Sequence, residues 1–169
     1  MKKSTLKFAG TPLSNEVFVN NQVCITESSP NAQYEHDTGL GIGKFLQGLK
    51  EGKILGTYCE KCDRTVVPPR IFCELCFGSN MTWKELKTTG RINTFSLCYV
   101  NWDATIIKDP HIPAVIEIDG ATPPCGILHL INEVRPQDVK IGMKVQAIFK
   151  DEKERQGDIT DIKYWVPIK

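Results

Sequence analysis

The sequence has 169 residues, an apolar fraction of 41%, a charged fraction of 24% and a formal net charge of +1. That length accommodates one ordinary domain, or a small metal module beside one compact domain. The near-neutral balance excludes a protein held to nucleic acid by bulk charge and leaves only a local basic patch for that purpose.

The opening Met1-Lys-Lys-Ser-Thr-Leu-Lys7 is charged, but no apolar core of signal-peptide length follows it. No stretch approaches the roughly 18 apolar residues needed to cross a bilayer. A cytoplasmic protein without membrane association is the expectation. Residues 1–38 read as an N-terminal arm, with Val17-Phe18-Val19 and Val23-Cys24-Ile25 as short strands around the turn-prone Asn20-Asn21. Phe8, Leu13, Val17, Phe18 and Ile25 are more apolar than a free tail requires, so two readings stand: a flexible arm, or one that orders against a partner. Cys24 reads as a small apolar residue.

Residues 39–56 are predicted as an amphipathic helical segment. Gly39-Leu-Gly-Ile-Gly-Lys44 invites comparison with a phosphate loop. The comparison fails, because Thr38 holds the place of the first Gly and Phe45 stands where Ser or Thr must hold the metal. A helix from about Ile42 to Glu51 fits better, with Ile42, Phe45, Leu46 and Leu49 on one face and Gly52 at the C-cap.

Residues 57–85 contain the most specific signal. Cys59-Glu-Lys-Cys62 is followed, after ten residues, by Cys73-Glu-Leu-Cys76. Each Cys-x-x-Cys suits a tight turn presenting two thiolates, and two such turns complete a tetrahedral four-cysteine shell, as in a structural Zn2+ site. Iron in a rubredoxin-like site is the competing metal, since geometry separates the two poorly. Disulfides fit less well, because no signal peptide precedes them and seven cysteines cannot all pair internally. With four thiolates no position is left for water, so the metal holds structure. Thr65-Val66-Val67 and Arg70-Ile71-Phe72 read as two strands turned by Pro68-Pro69.

Residues 86–169 are predicted as a β-barrel. Met81 to Leu86 leads away from the metal. Arg91–Val100 alternates with Phe95, Leu97 and Tyr99 on one face, and Pro113–Asp119 with Ala114, Ile116 and Ile118. Cys125–Ile131 is a largely apolar strand. Met143–Lys150 turns Met143, Val145, Ala147 and Phe149 inward, and Ile159–Val166 closes the set before Pro167. Five or six strands broken by Gly, Pro and Asp, without a long helix, point to a small closed or nearly closed barrel. Asp151–Gly157 reads as a solvated hairpin loop, and Gly142 as a turn feeding the strand behind it.

No catalytic residue is assigned. His36, His111 and His129 are scattered, and Cys98 and Cys125 fall inside strand patterns. A Cys125–His129 pair would lie on one strand face but roughly 13 Å apart, too far for a thiolate and its base.

Taken in order, the helix ending in Lys50-Glu-Gly-Lys-Ile-Leu-Gly56, the two Cys-x-x-Cys turns around Val67-Pro-Pro-Arg70, Gly90-Arg91, Ala114-Val-Ile-Glu-Ile-Asp-Gly120, Ile141-Gly-Met-Lys-Val145 and Pro167 carry a resemblance. From about Gly41 to Pro167 the chain resembles the zinc-ribbon/OB-fold family of archaeal and bacterial proteins associated with acyl-CoA thiolases and related condensing enzymes. The resemblance implies a mainly β fold: an N-terminal helix, a rubredoxin-like zinc ribbon and an OB-fold barrel. It implies a non-catalytic accessory subunit that docks a thiolase-fold catalytic subunit as a hetero-oligomer and helps form a site for a coenzyme A thioester. Lys44, Arg70 and Arg91 are the candidate contacts to acyl-CoA phosphates, which need basic groups at the mouth of their site. Asp63 and Phe77 depart from the family's knuckles, where Gly is usual, and the arm is longer than the family core. The alternative is a module for single-stranded nucleic acid, with Phe95, Tyr99 and Trp102 stacking on bases. Asp103, Asp109, Glu117 and Asp119 weigh against it.

Overall fold

In the computed structural model, residues 14–20, 22 and 34–168 are described, and the chain divides into a unit of residues 1–36 and a unit of residues 37–169. In the first unit, α1 (Asn15–Val19) is a five-residue helix with Glu16 in its first turn. The expected Val17–Val19 strand is therefore helical, with the Asn20 N–H donating to the Glu16 carbonyl. The Val23–Ile25 strand, with Phe8, Leu13 and Cys24, lies outside the described residues.

The second unit opens with α2 (Gly39–Lys50), three residues earlier than its apolar period suggests, because Asp37 Oδ1 takes the Gly39 N–H at 2.9 Å. Phe45 and Leu49 are buried, each such side chain stabilising by roughly 1.5–3 kcal/mol relative to exposure. Gly52, at φ +78°, ends the helix by donating to the Leu49 carbonyl.

β1 (Ile54–Cys59), β2 (Arg64–Val66) and β3 (Met81–Leu86) form an antiparallel sheet in the order β2-β1-β3. This corrects the expected hairpin. Residues 70–72 form no strand, and the partner of β2 is β1, with Thr57 opposite Val66. Pro68 and Pro69 have no N–H to give to a ladder, and the Arg70 backbone is taken instead by the buried Thr57 hydroxyl, which accepts its N–H (3.0 Å) and donates to its carbonyl (2.9 Å).

The remaining strands are β4 (Thr89–Phe95), β5 (Cys98–Val100), β6 (Ile106–Ile118), β7 (Gly126–Ile131), β8 (Lys144–Phe149) and β9 (Ile162–Pro167). Pairing runs β4-β8-β9-β7-β6 and returns from β6 to β4, which closes a five-stranded barrel. The β7–β9 closure is parallel and puts Ile131 beside Trp165. Among the described residues β5 pairs only with β6 and stands outside the ring. The single strand expected over Arg91–Val100 is thus two: the Ser96 N–H still donates to the Pro113 carbonyl in the β4–β6 register, but Pro113 has no N–H to return. Phe95 and Leu97 pack on the core, whereas Tyr99 goes outward with the β5–β6 hairpin. Ile159–Asp161 is a short 3-10 turn before β9 and not strand.

Alternation places Ile92, Ala114, Ile116, Ile118, Val145, Ala147, Ile162 and Trp165 inside the barrel. Phe45, Leu49, Ile54, Val67 and Leu86 continue the same apolar cluster into the helix and the sheet behind the metal. A Cβ at Gly90 or Gly126 would run into the backbone of β6, so the barrel closes only with glycine there.

The charged loop before β9 is more ordered than a solvated turn. Asp161, fully buried, accepts N–H bonds from Gln156 (2.9 Å), Gly157 (2.7 Å) and Asp158 (3.2 Å). Arg155 donates to the Lys150 carbonyl at 2.8 Å and lies over the Phe149 ring.

Candidate metal centre and the adjoining cleft

β1 delivers Cys59 at its end, and the chain turns through Glu60 and Lys61 to Cys62. Asp63 then takes a left-handed backbone, φ +47°, stabilised by the Tyr58 hydroxyl donating to its carboxylate at 2.8 Å. That bond, ahead of burial, raises the Tyr58 pKa. The second turn repeats the design: Phe77 has φ +56°, its N–H donates to the Cys73 carbonyl at 2.8 Å, and the Cys73 N–H donates to Gly78. Both departures from the usual knuckle glycine therefore keep glycine's conformation, and Phe77 does so with its ring 80% exposed.

The four Sγ atoms of Cys59, Cys62, Cys73 and Cys76 lie within 4.8 Å of one another. The Cys59–Cys76 sulfurs are 3.7 Å apart, against about 3.8 Å for two thiolates each 2.3 Å from a tetrahedral ion. Electrostatics fit as well. Backbone N–H groups of Cys76 and then Leu75 point at the Cys73 sulfur and lower its pKa to about 6. Burial, then the neighbouring thiols, push Cys62 up to about 12. Cys59 receives the Cys62 N–H, which favours its thiolate, yet burial and the Cys73 and Cys76 thiols outweigh this and raise its pKa. Four crowded sulfurs that cannot all ionise unaided suit a divalent cation, and a closed S4 shell suits structural zinc.

Beside the ribbon lies a cleft of about 710 Å³. One wall is α2, through Gly39, Leu40, Gly43, Lys44 and Gln47; the other is the ribbon, through Thr57, Arg70, Ile71, Ser79, Met81 and Trp83. Thr57 faces Trp83 across the β1–β3 ladder, and Cys59 faces Met81, so the cleft floor continues from the metal shell. The Lys44 ammonium sits 4.4 Å from the Trp83 ring centre, a cation–π contact that fixes the charge at the cleft wall. Arg70 pairs with Glu74 at 3.1 Å. Leu40 and Ile71 in the lining are exposed, and so are Phe72, Leu75 and Phe77 in and beside the second Cys-x-x-Cys turn.

The structure brings Lys44 and Arg70 together but not Arg91. Arg91 lies on the barrel beside Glu117 and Asp119, in a separate pocket of about 160 Å³, and reaches the Gly142 carbonyl. Trp83, Thr57, Gln47, Met81 and Glu74 were missed by sequence reasoning. Strand pairing assembles most of them, and only the position of Glu74 between two ligands offered a signal. His111, His129, Cys98 and Cys125 have partners outside the cleft. His129 Nδ1 accepts the Leu130 N–H and its Nε2 faces the Ile159 carbonyl, so Nε2 carries the proton; burial lowers its pKa. Cys125 Sγ lies 3.7 Å from Arg64.

A four-thiolate ribbon feeding a closed five-stranded barrel defines the zinc-ribbon/OB-fold class. Residues 46–82 match the family described as ChsH2, rubredoxin-like zinc ribbon domain, and residues 83–150 that described as ChsH2, C-terminal OB-fold domain. Over 108 residues the chain is 31% identical to a DUF35 domain-containing scaffold protein of Methanocaldococcus jannaschii, covering 62% of this chain and 73% of that one. A crystallised DUF35-family protein of unknown function from Sulfolobus solfataricus is 27% identical, with a TM-score of 0.53 over 62% of this chain and 75% of its own. The Ltp2-ChsH2(DUF35) aldolase structure matches at a TM-score of 0.58 over 79% of this chain and 98% of the matched one; at 15% identity that likeness concerns the fold. The chain belongs to the DUF35 family. Among the described residues, no helix is long and apolar enough to cross a membrane.

Proposed function

We propose that this chain is a non-catalytic accessory subunit of a thiolase-type acyl-CoA acyltransferase or condensing complex, docking the catalytic subunit and helping to form its acyl-CoA site. The observation that carries the reading is the cleft between α2 and the ribbon: apolar walls that include the exposed Leu40 and Ile71, and two cations, Lys44 and Arg70. A coenzyme A thioester joins an apolar arm to several negative charges, and this combination of walls and cations suits both parts. The exposed Leu40, Phe72, Leu75 and Phe77 are the kind of surface a partner covers. The reading draws further support from the scaffold role in the name of the Methanocaldococcus relative and from the aldolase in the name of the similar structure. In it Lys44 and Arg70 contact phosphates, Arg91 serves a separate surface, and the protein works in the reducing cytoplasm, where free thiols stay available to the metal.

The test is affinity capture of the tagged chain from nuclease-treated native lysate, followed by mass spectrometry. Stoichiometric recovery of a thiolase-fold protein is the expected result. Recovery of none, together with salt-sensitive binding to a single-stranded oligonucleotide, overturns the reading in favour of a nucleic-acid module using the exposed Tyr99 and Trp102.

A further inference from the structure

Glu74 is the second residue of the second Cys-x-x-Cys turn, and its carboxylate is divided between two guanidiniums. Oε1 meets Arg64 Nη1 at 2.6 Å and Oε2 meets Arg70 Nη1 at 3.1 Å. Oε2 is buried without a hydrogen-bond partner, so the Arg70 charge is its compensation among the described residues. Arg64, on β2, extends to Cys125 of the barrel. Arg70, on the cleft wall, is held at its backbone by Thr57 and at its head by Glu74. The metal shell, the cleft cation and the barrel thus meet at a single carboxylate whose place is set by the two sulfurs flanking its turn.

We infer that Glu74 is a positioning residue that couples metal occupancy to the cleft, so that the cleft binds apolar anions only while the metal holds the knuckle. The inference deepens the proposed function and rests on it only in taking the cleft to be a binding site. Metal loss removes what fixes the backbone of residues 73–77, the carboxylate leaves, and Arg70 loses the contact that aims it. Coupling is reciprocal: if the metal favours the ligand, the ligand must retain the metal.

Charge alone and position alone give opposite signs for one variant. Glu74→Gln makes the cleft more positive, so simple attraction predicts tighter anion binding, whereas loss of positioning predicts weaker binding. The experiment titrates the zinc-loaded full chain with anilinonaphthalene sulfonate, an apolar anion, and follows zinc release to a chromogenic chelator with and without it. A Lys44→Ala control locates the probe in the cleft. The wild type should bind the probe and release zinc more slowly in its presence. Glu74→Gln should keep its zinc content and its probe-free release rate, bind the probe weaker by about five-fold or more, the lower end of ordinary coupling between sites, and lose the protection. Should Glu74→Gln fail to hold metal, Arg70→Ala, outside the knuckle, must abolish the protection with metal retained. Unchanged or tighter probe binding in Glu74→Gln overturns the inference, and so does protection that persists in Arg70→Ala. Absence of probe binding or of protection in the wild type overturns it too. No partner enters either arm, so these failures leave the subunit reading to the capture experiment.

Discussion

The metal end of the ribbon and the interior of the barrel hold their shapes by different means. Around the four cysteines the large apolar residues Phe72, Leu75 and Phe77 face outward, and the sulfurs supply what an apolar interior would. Inside the barrel, Ile116, Val145, Ile162 and Trp165 are fully buried. Between these extremes Leu49, Ile54, Val67 and Leu86 join the sheet to the barrel's own cluster. A metal thus replaces a core where a short segment cannot bury enough surface, and gives way to packing where the barrel is near.

The strongest way to break this comparison is Cys73→Ser. Metal content should fall to background and the ribbon should unfold, while the barrel keeps its far-ultraviolet β signal; simultaneous collapse of both would make them one cooperative unit. Next comes Ile116→Ala, which should lower unfolding free energy by about 2–5 kcal/mol in denaturant titration and leave zinc content untouched. Asp161→Asn should cost about 1–2 kcal/mol by loosening the Gln156–Asp158 backbone. Burial raises the Asp161 pKa, but the three N–H donors outweigh it and hold the carboxyl below the ordinary value of about 3.9. A depressed folded-state pKa gives stability that is present above the unfolded value and lost as pH falls through the folded one. The variant should therefore be closest to wild type in acid below about pH 4, in melting curves taken across pH. Smallest is Arg135→Ala: its ion pair with Asp138 is exposed, and no resolvable change in melting temperature is expected.

Where a residue's role depends on its near neighbours in sequence, it was legible. The Cys-x-x-Cys turns, the face of α2 carrying Phe45 and Leu49, and the alternation of Ala114, Ile116 and Ile118 all follow from local period or spacing. The ribbon hairpin was misread because Thr65–Val67 and Arg70–Phe72 are adjacent in the chain, whereas β2 pairs with β1 across the knuckle. The cleft was half legible: Lys44 and Arg70 carry the right charge, but strand register is what sets Trp83 opposite Thr57 and leaves Arg91 on another surface. Val17–Val19 has a strand-like composition and an acidic first turn, and became a helix.

The three tryptophans fall in three settings. Trp165 is 0% exposed in the barrel, Trp102 is 98% exposed beyond β5, and Trp83 lies under the Lys44 ammonium in the cleft. Their emission should therefore separate by colour and by access to a soluble quencher. Two Trp→Phe replacements at a time would give single-emitter chains, each an optical gauge of the barrel, the hairpin tip or the cleft as a partner is added.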